Sequence, residues 1–445
     1  MCLLLKTTER KQLCHQFLYL SFSSMFKRIT WPILLAAIAA FCTYSCMSAF
    51  RRPYTAAIFD EASLWGVNYK VWLVIAQTLG YTLCKFYGIS YIAELKPQAR
   101  SRLILGFISA AWLALLLFAI VPAPYNIICF VLNGFPLGMI YGLVFSYLEG
   151  RRTTEFLGAV LTTSFIFSAG FTQSIGKWVL QQGVSEKWMP FITGALFIVP
   201  IFLFTQLLAR TPPPNAEDKL HRTERKPMDQ QERRIFIRRF LPGLVLLILT
   251  YVILTILRDY RNNFAANIWL EQGRGNDASV FTQTEIPASI VILIMMSALV
   301  LIRKNITALF VNHLIVMAGF ALAFGVTLLF IFDIMDAYWW MALTGVGLYM
   351  GYVPFNAILF DRLIASFRHV SNAGFLIYLA DSFGYIGSDA ILVFKSFFTV
   401  SLSWTDFFVQ LLLMLSLGGI VLTFGSWIYF ARKYKKVTAE NSEAL

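Results

Sequence analysis

Residues 240–268 read FLPGLVLLILTYVILTILRDYRNNFAANI, and this stretch decides the fold. From Phe240 to Leu257 it carries no charged residue. About 20 mostly apolar residues are enough to cross a bilayer as an α-helix. Arg258, Asp259 and Arg261 then follow before the run has ended. A charge at the bilayer centre costs at least about 2.5–3.5 kcal/mol on insertion scales, so such residues usually face an internal cavity and act there. The stretch therefore reads as a spanning helix that carries part of a functional site.

Eleven further runs of this kind lie on either side of it. The predicted spans are 32–58, 69–91, 103–122, 125–148, 156–180, 188–208, 240–268, 284–302, 308–332, 338–360, 373–395 and 405–430. None shows the period-two alternation of outer-membrane barrel strands. The predicted class is an all-α polytopic membrane protein with twelve transmembrane helices. Composition agrees: 58% of the 445 residues are hydrophobic and 14% charged, against about 25% charged in soluble domains. Six cysteines, at 2, 14, 42, 46, 84 and 129, are too scattered for a disulfide framework. Cys42 and Cys46 read as small apolar helix residues with no further soft metal ligand beside them.

The formal charge of +13 is mostly an orientation signal. With an inside N-terminus, 27 of the 37 basic residues fall in inside segments and 4 in outside loops, among them Lys70, Lys187, Arg274 and Lys395. The positive-inside rule then places both termini in the cytoplasm, in a cell inner membrane. A basic surface for nucleic acid is not expected. Six cations remain within the spans: Arg51, Arg52, Lys85, Lys177, Arg258 and Arg261.

The longest polar stretch, 209–239, opens with Arg210-Thr-Pro-Pro-Pro214 and divides the chain. Proline resists helix continuation, so the organisation reads as a tail (1–30), a six-helix half (31–208), a central loop (209–239), a second six-helix half (240–431) and a tail (432–445). The halves repeat. Tyr44, Ser48, Arg51 and Thr55 recur as Tyr251, Thr255, Arg258 and Asn262 at the same offsets, which place four polar groups on one helix face. Gly134-Phe-Pro136 to Tyr141 recurs as Gly345-Val-Gly347 to Tyr352, and Ser168-Ala-Gly170 as Ser382-Phe-Gly384. Parallel six-helix repeats with a midplane site between them are the layout of major facilitator transporters. Gly134, Gly138 and Gly142 read as a face for close helix packing.

Arg51 and Arg258 would meet near the pseudo-twofold axis. A planar guanidinium donates two parallel bonds and stays charged when desolvated, which suits a phosphate or carboxylate. Span 2 adds Tyr81 and Lys85 in line with Gln77. Span 11 adds Tyr378, Asp381 and Tyr385, with Asp389 further out. Five cations (Arg51, Arg52, Lys85, Arg258, Arg261) face three carboxylates (Asp259, Asp381, Asp389), so the bound substrate should be anionic. The carboxylates balance charge or carry protons. Asp259 is expected about 100° round the helix from Arg258.

These residues resemble a known family. Tyr44 with Arg51-Arg52-Pro53, Tyr81-x3-Lys85-Phe86-x-Gly88 on to Pro97 and Arg100, and Tyr251 to Arg258 on to Trp269-Leu-Glu271 are similar to signatures of the organophosphate:phosphate antiporters, the glycerol-3-phosphate and hexose-phosphate transporters of the major facilitator superfamily. The resemblance implies that Arg51 and Arg258 bind phosphate with help from Lys85. It has departures. Glu94 lacks a following Arg, the Lys-to-Gly spacing is one residue short, Ser168 stands about where the family has a histidine, and Asp259 follows Arg258.

The expectation is an alternating-access secondary transporter of a small anionic, phosphorylated metabolite. Its primary substrate contacts would be Arg51, Arg258, Lys85, Tyr44, Tyr81 and Tyr251, with Arg52, Arg261, Asp259, Asp381, Tyr378 and Tyr385 as secondary or charge-balancing groups. Inorganic phosphate or protons would be the counter- or co-ion, and no cofactor or metal is expected. The alternatives are a proton-coupled organic-anion symporter using Asp381 or Asp389, and a transporter-like sensor of a phosphorylated ligand. An enzyme is disfavoured: His15, His221, His313 and His369 form no metal-binding pattern, and no nucleophile elbow occurs. Reporter fusions at either terminus should both report a cytoplasmic location, and an external signal from either would contradict the charge reading.

Overall fold

A computed structural model describes residues 31–60, 63–93, 99–149, 151, 153–212, 230–367, 373–398 and 402–443. The predicted N-terminal tail, Glu94 and Pro97 of the family-like motif and residues 213–229 of the central loop lie outside the described residues.

The N-terminal half comprises α1 (Trp31–Ser48), α2 (Tyr69–Ala93), α3 (Arg100–Ile120), α4 (Ile128–Leu137), α5 (Ile140–Leu148), α6 (Thr154–Gln181), α7 (Met189–Leu196) and α8 (Ile198–Ala209). The C-terminal half comprises α9 (Gln230–Asn263), α10 (Ala265–Glu271), α11 (Val280–Val300), α12 (Asn305–Ile331), α13 (Ala337–Pro354), α14 (Phe360–Ser366), α15 (Ala373–Phe398) and α16 (Trp404–Glu443). Among the described residues, ten helical spans are long and apolar enough to cross a membrane, and the pair α7/α8, bent by 45°, makes an eleventh. α2 fills the second predicted span, but its 25 residues are interrupted by Lys70, Gln77, Thr78, Thr82 and Lys85, and it falls outside that set. The chain is thus a multi-pass membrane protein. On α16, Met414, Leu417, Val421, Phe424 and Ile428 are exposed at helical spacing, as a lipid-facing stripe requires.

The breaks in the spans have covalent causes. The first predicted span, 32–58, is not one helix. After Ser48 the backbone tightens to i−3 bonds, Arg51 N donating to Ser48 O at 3.0 Å, and Pro53–Ala56 form a short 3-10 turn. Pro53 has no N–H for the Ala49 carbonyl and its ring would crowd it, so the helix cannot pass through. Tyr44 and Ser48 therefore share a helix with each other but not with Arg51 and Thr55. All four repeat partners (Tyr251, Thr255, Arg258, Asn262) do lie on α9. Pro200 similarly cannot bond to Leu196, beside the α7/α8 bend. The tenth span passes from α13 through a π turn, Phe355–Leu359, immediately after Pro354.

The packing repeats as the sequence does. α1 lies against α6, and α9 against α15. The halves then meet through α6 with α11 and α2 with α15, a reciprocal pairing of second and fifth spans. Small residues permit the closest approaches. A Cβ on Gly134 would stand 2.3 Å from the Gln77 carbonyl of α2, and one on Gly170 would stand 2.2 Å from the Phe281 carbonyl of α11. Gly134→Ala must push α4 away from α2 and should cost about 1–3 kcal/mol. Gly106→Ala on α3 meets nothing within 4 Å and should be neutral or slightly stabilising. Thermal melting of the purified proteins in detergent checks the contrast.

Candidate functional site

Two charged layers lie between the halves. The outer one begins where α1 ends. Arg52 Nη1 donates to Asn263 Oδ1 of the C-terminal half at 2.8 Å. Lys70 is fully buried, and its Nζ bridges the halves, donating to Thr55 O at 2.7 Å and Asn267 Oδ1 at 2.8 Å. Gln173 on α6 donates to Thr55 Oγ1 and to Asn262 O, each at 2.6 Å. These contacts are hydrogen bonds from cations or amides to neutral oxygens. The outside-loop assignment of Lys70 is therefore corrected. Its position at the first turn of α2 gave it the pattern of a loop residue, and only the docking of the other half covers it.

The second layer lies deeper. Lys85 Nζ on α2 forms an ion pair with Asp381 Oδ2 on α15, and the Tyr251 hydroxyl on α9 donates to the other oxygen of that carboxylate. Tyr251 is also 3.0 Å from the Tyr352 hydroxyl and accepts from Asn356 Nδ2 at 3.1 Å. Around the Lys85 ammonium stand the rings of Tyr385 at 4.9 Å, Tyr81 at 5.5 Å and Tyr378 at 5.7 Å. Ammonium groups are attracted to such ring faces. Tyr81 and Tyr385 meet edge to face at 5.8 Å across the two halves. The Arg51 guanidinium lies 4.3 Å over Tyr81. Tyr44 packs edge-on to Tyr141, 5.8 Å away.

Thus Arg51, Tyr81, Lys85, Tyr251, Tyr378, Asp381 and Tyr385 form one connected cluster. Arg258 joins it through Tyr352, over whose ring its guanidinium sits at 3.8 Å. Arg258 also folds onto its chain neighbour, with Nε and Nη2 donating to Asp259 Oδ1 at 3.1 and 2.7 Å. The expected 100° separation of Arg258 and Asp259 describes their Cα positions. A long guanidinium stem spans that arc easily, so the pair forms.

Arg261 belongs elsewhere. It bonds the Met341 carbonyl through Nε at 3.1 Å and Nη2 at 2.9 Å, reaches Asn262 Oδ1 at 3.1 Å, and pairs with Glu285 of α11. It is 2% exposed, which makes it a buried tie within the C-terminal half. Glu285, not among the expected site residues, was visible as an acid two residues into the predicted eighth span. It raises the carboxylates to four, while Lys70 raises the cations to six, so the excess of positive charge is unchanged.

The cations thus sort by partner. Lys85, Arg258 and Arg261 each hold a carboxylate, while Arg52 and Lys70 hold amide or carbonyl oxygens. Arg51 differs from all of them. Its side chain makes no hydrogen bond or ion pair among the described residues, and its Nε is buried without an acceptor. Asp389 likewise has one buried oxygen with no donor. No group of three or more His, Cys, Asp or Glu suited to a metal occurs among the described residues.

This architecture is the major facilitator fold. It is similar to a bacterial homologue of the human lysosomal transporter Spinster in its inward-facing, unoccupied conformation, with TM-score 0.58, 11% identity, and coverage of 92% of this chain and 99% of that one. It is also similar to a bacterial homologue of the human drug peptide transporters PepT1 and PepT2, with TM-score 0.60, 12% identity, and coverage of 90% and 99%. No curated protein matches in sequence. Residues 53–433 match a family described as "Family of unknown function (DUF5690)", and the chain belongs to that family.

Removing one member of a buried pair leaves an uncompensated charge, at a cost of about 3–5 kcal/mol. Glu285→Ala should therefore destabilise strongly, and the Glu285→Ala/Arg261→Met double variant should recover much of the loss. Melting temperatures of the two variants measure this.

Proposed function

We propose that the protein is an alternating-access secondary transporter of a small organic anion, with a phosphorylated metabolite as the substrate class. The observation that carries this reading is Arg51: a cation between two six-helix halves, with a buried donor that the protein itself leaves unmet. A buried unmade hydrogen bond costs about 1–3 kcal/mol, more for a charged group. An anion brought to the guanidinium removes that cost and gains a charge-assisted bond. The tyrosines around Arg51 can hydrogen-bond the rest of such a ligand while their rings pack against its carbon skeleton.

Lys85 and Arg258 flank this point from the two halves. Their carboxylate partners keep them compensated when no substrate is bound. The family-like signatures around Arg51, Lys85 and Arg258 support a phosphoryl group as the anion, since a guanidinium fork fits it in two parallel bonds. Rocking of the halves about this point would expose it to each side in turn. Both termini face the cytoplasm in this reading, with the halves spanning 31–208 and 240–431.

Proteoliposomes loaded with inorganic phosphate and presented with labelled glycerol 3-phosphate test it. Wild type should accumulate label. Arg51→Ala and Arg258→Ala should lose about tenfold or more, and Arg51→Lys should fall nearly as far, because a point charge does not replace a planar fork. Normal uptake by the two alanine variants would sink the clamp.

A further inference from the structure

We infer that Asp381 is a built-in competitor for the substrate: it occupies Lys85 in the empty protein and must hand that ammonium over when the anion binds. This rests on the anion-transport reading above and specifies how the site responds to its ligand.

Three observations carry it. First, among the ion pairs of the site, Lys85–Asp381 joins the halves, α2 to α15. Arg258–Asp259 and Arg261–Glu285 both lie within the C-terminal half. Second, Asp381 is held from two directions. Tyr251 donates to Oδ1 and Lys85 pairs with Oδ2, so loss of Lys85 still leaves the carboxylate one strong donor. Lys85, by contrast, has no other acceptor among the described residues, only the ring faces of Tyr81, Tyr378 and Tyr385. Third, Lys85 and the unmet Arg51 share one ring, Tyr81, at 5.5 and 4.3 Å. An anion seated on Arg51 is therefore within reach of the same ammonium.

Electrostatics allow the exchange in one direction only. A ligand with two negative charges offers Lys85 and Arg51 a common partner, and Asp381 falls back on Tyr251. A neutral ligand cannot displace a carboxylate from an ammonium in a poorly hydrated site, where leaving a charge unpaired is costly. Asp381 would thus reject uncharged analogues and loosen the contact of α2 with α15 only when the right anion is present. A state that binds ligand only when Lys85 is free has its apparent affinity reduced by the free fraction.

The test compares binding and inter-half distance in purified wild type and Asp381→Asn, with glycerol 3-phosphate and inorganic phosphate as probes. Asn keeps an acceptor for Tyr251 and removes the charge that holds Lys85. Calorimetry should show Asp381→Asn binding glycerol 3-phosphate about tenfold more tightly than wild type, and Arg51→Ala should abolish binding in both backgrounds. The swapped pair Lys85→Asp/Asp381→Lys should restore the bridge and the melting temperature but not the binding, which a purely structural bridge would not predict. In wild type carrying spin labels on α2 and α15, phosphate ligand should lengthen the distance between them. Equal or weaker binding by Asp381→Asn, together with an unchanged label distance, overturns the competitor role while the anion site stands. Absence of binding by both wild type and Asp381→Asn overturns the anion reading itself.

Discussion

An ionised side chain inside a bilayer must find its compensation within the protein, and the centre of this molecule is organised by that constraint. Lys85, Arg258 and Arg261 meet it with carboxylates, and Lys70 and Arg52 meet it with carbonyl and amide oxygens. Each solution has a structural consequence. Arg261 with Glu285 and Met341 O ties α9 to α11 and α13. Lys70 and Arg52 tie one half to the other. Among these cations Arg51 is the one left with a buried Nε unmet, and it lies over the ring of Tyr81.

The two inter-half layers differ in kind. The outer one consists of hydrogen bonds from Arg52, Lys70 and Gln173 to neutral oxygens. The inner one is an ion pair set among tyrosine rings. Neutral acceptors can be exchanged for water as surfaces part, because water makes similar bonds. An ion pair in a dry setting separates at much greater cost unless a new counter-charge arrives. On the proposed reading, the layer next to Arg51 is the one whose opening depends on a ligand.

The multi-span helical layout was legible because it depends on local, one-dimensional properties. About 20 apolar residues in a row suffice for a span. The candidate charges were legible for the same reason, since a charge within an apolar run is conspicuous. Lys70 escaped notice because it sits at the edge of its run, where a loop lysine looks the same. The first span was read too long because apolar residues continue past Pro53. Apolarity says that a segment is buried, and the backbone hydrogen bonds decide whether it is helical.

What the sequence determined by itself was therefore the membrane class, most of its apolar spans and most of the charges within them. Only the tertiary structure decided how those charges are matched. Lys85 and Asp381 stand 296 residues apart and Arg52 and Asn263 stand 211 apart. Such pairs arise from the docking of one half on the other, and no local spacing encodes them. Long side chains also reach across arcs that helix geometry alone would separate, as Arg258 does to Asp259. The identity of the unmet cation is what remains after every other pairing is made, so it is a property of the whole fold.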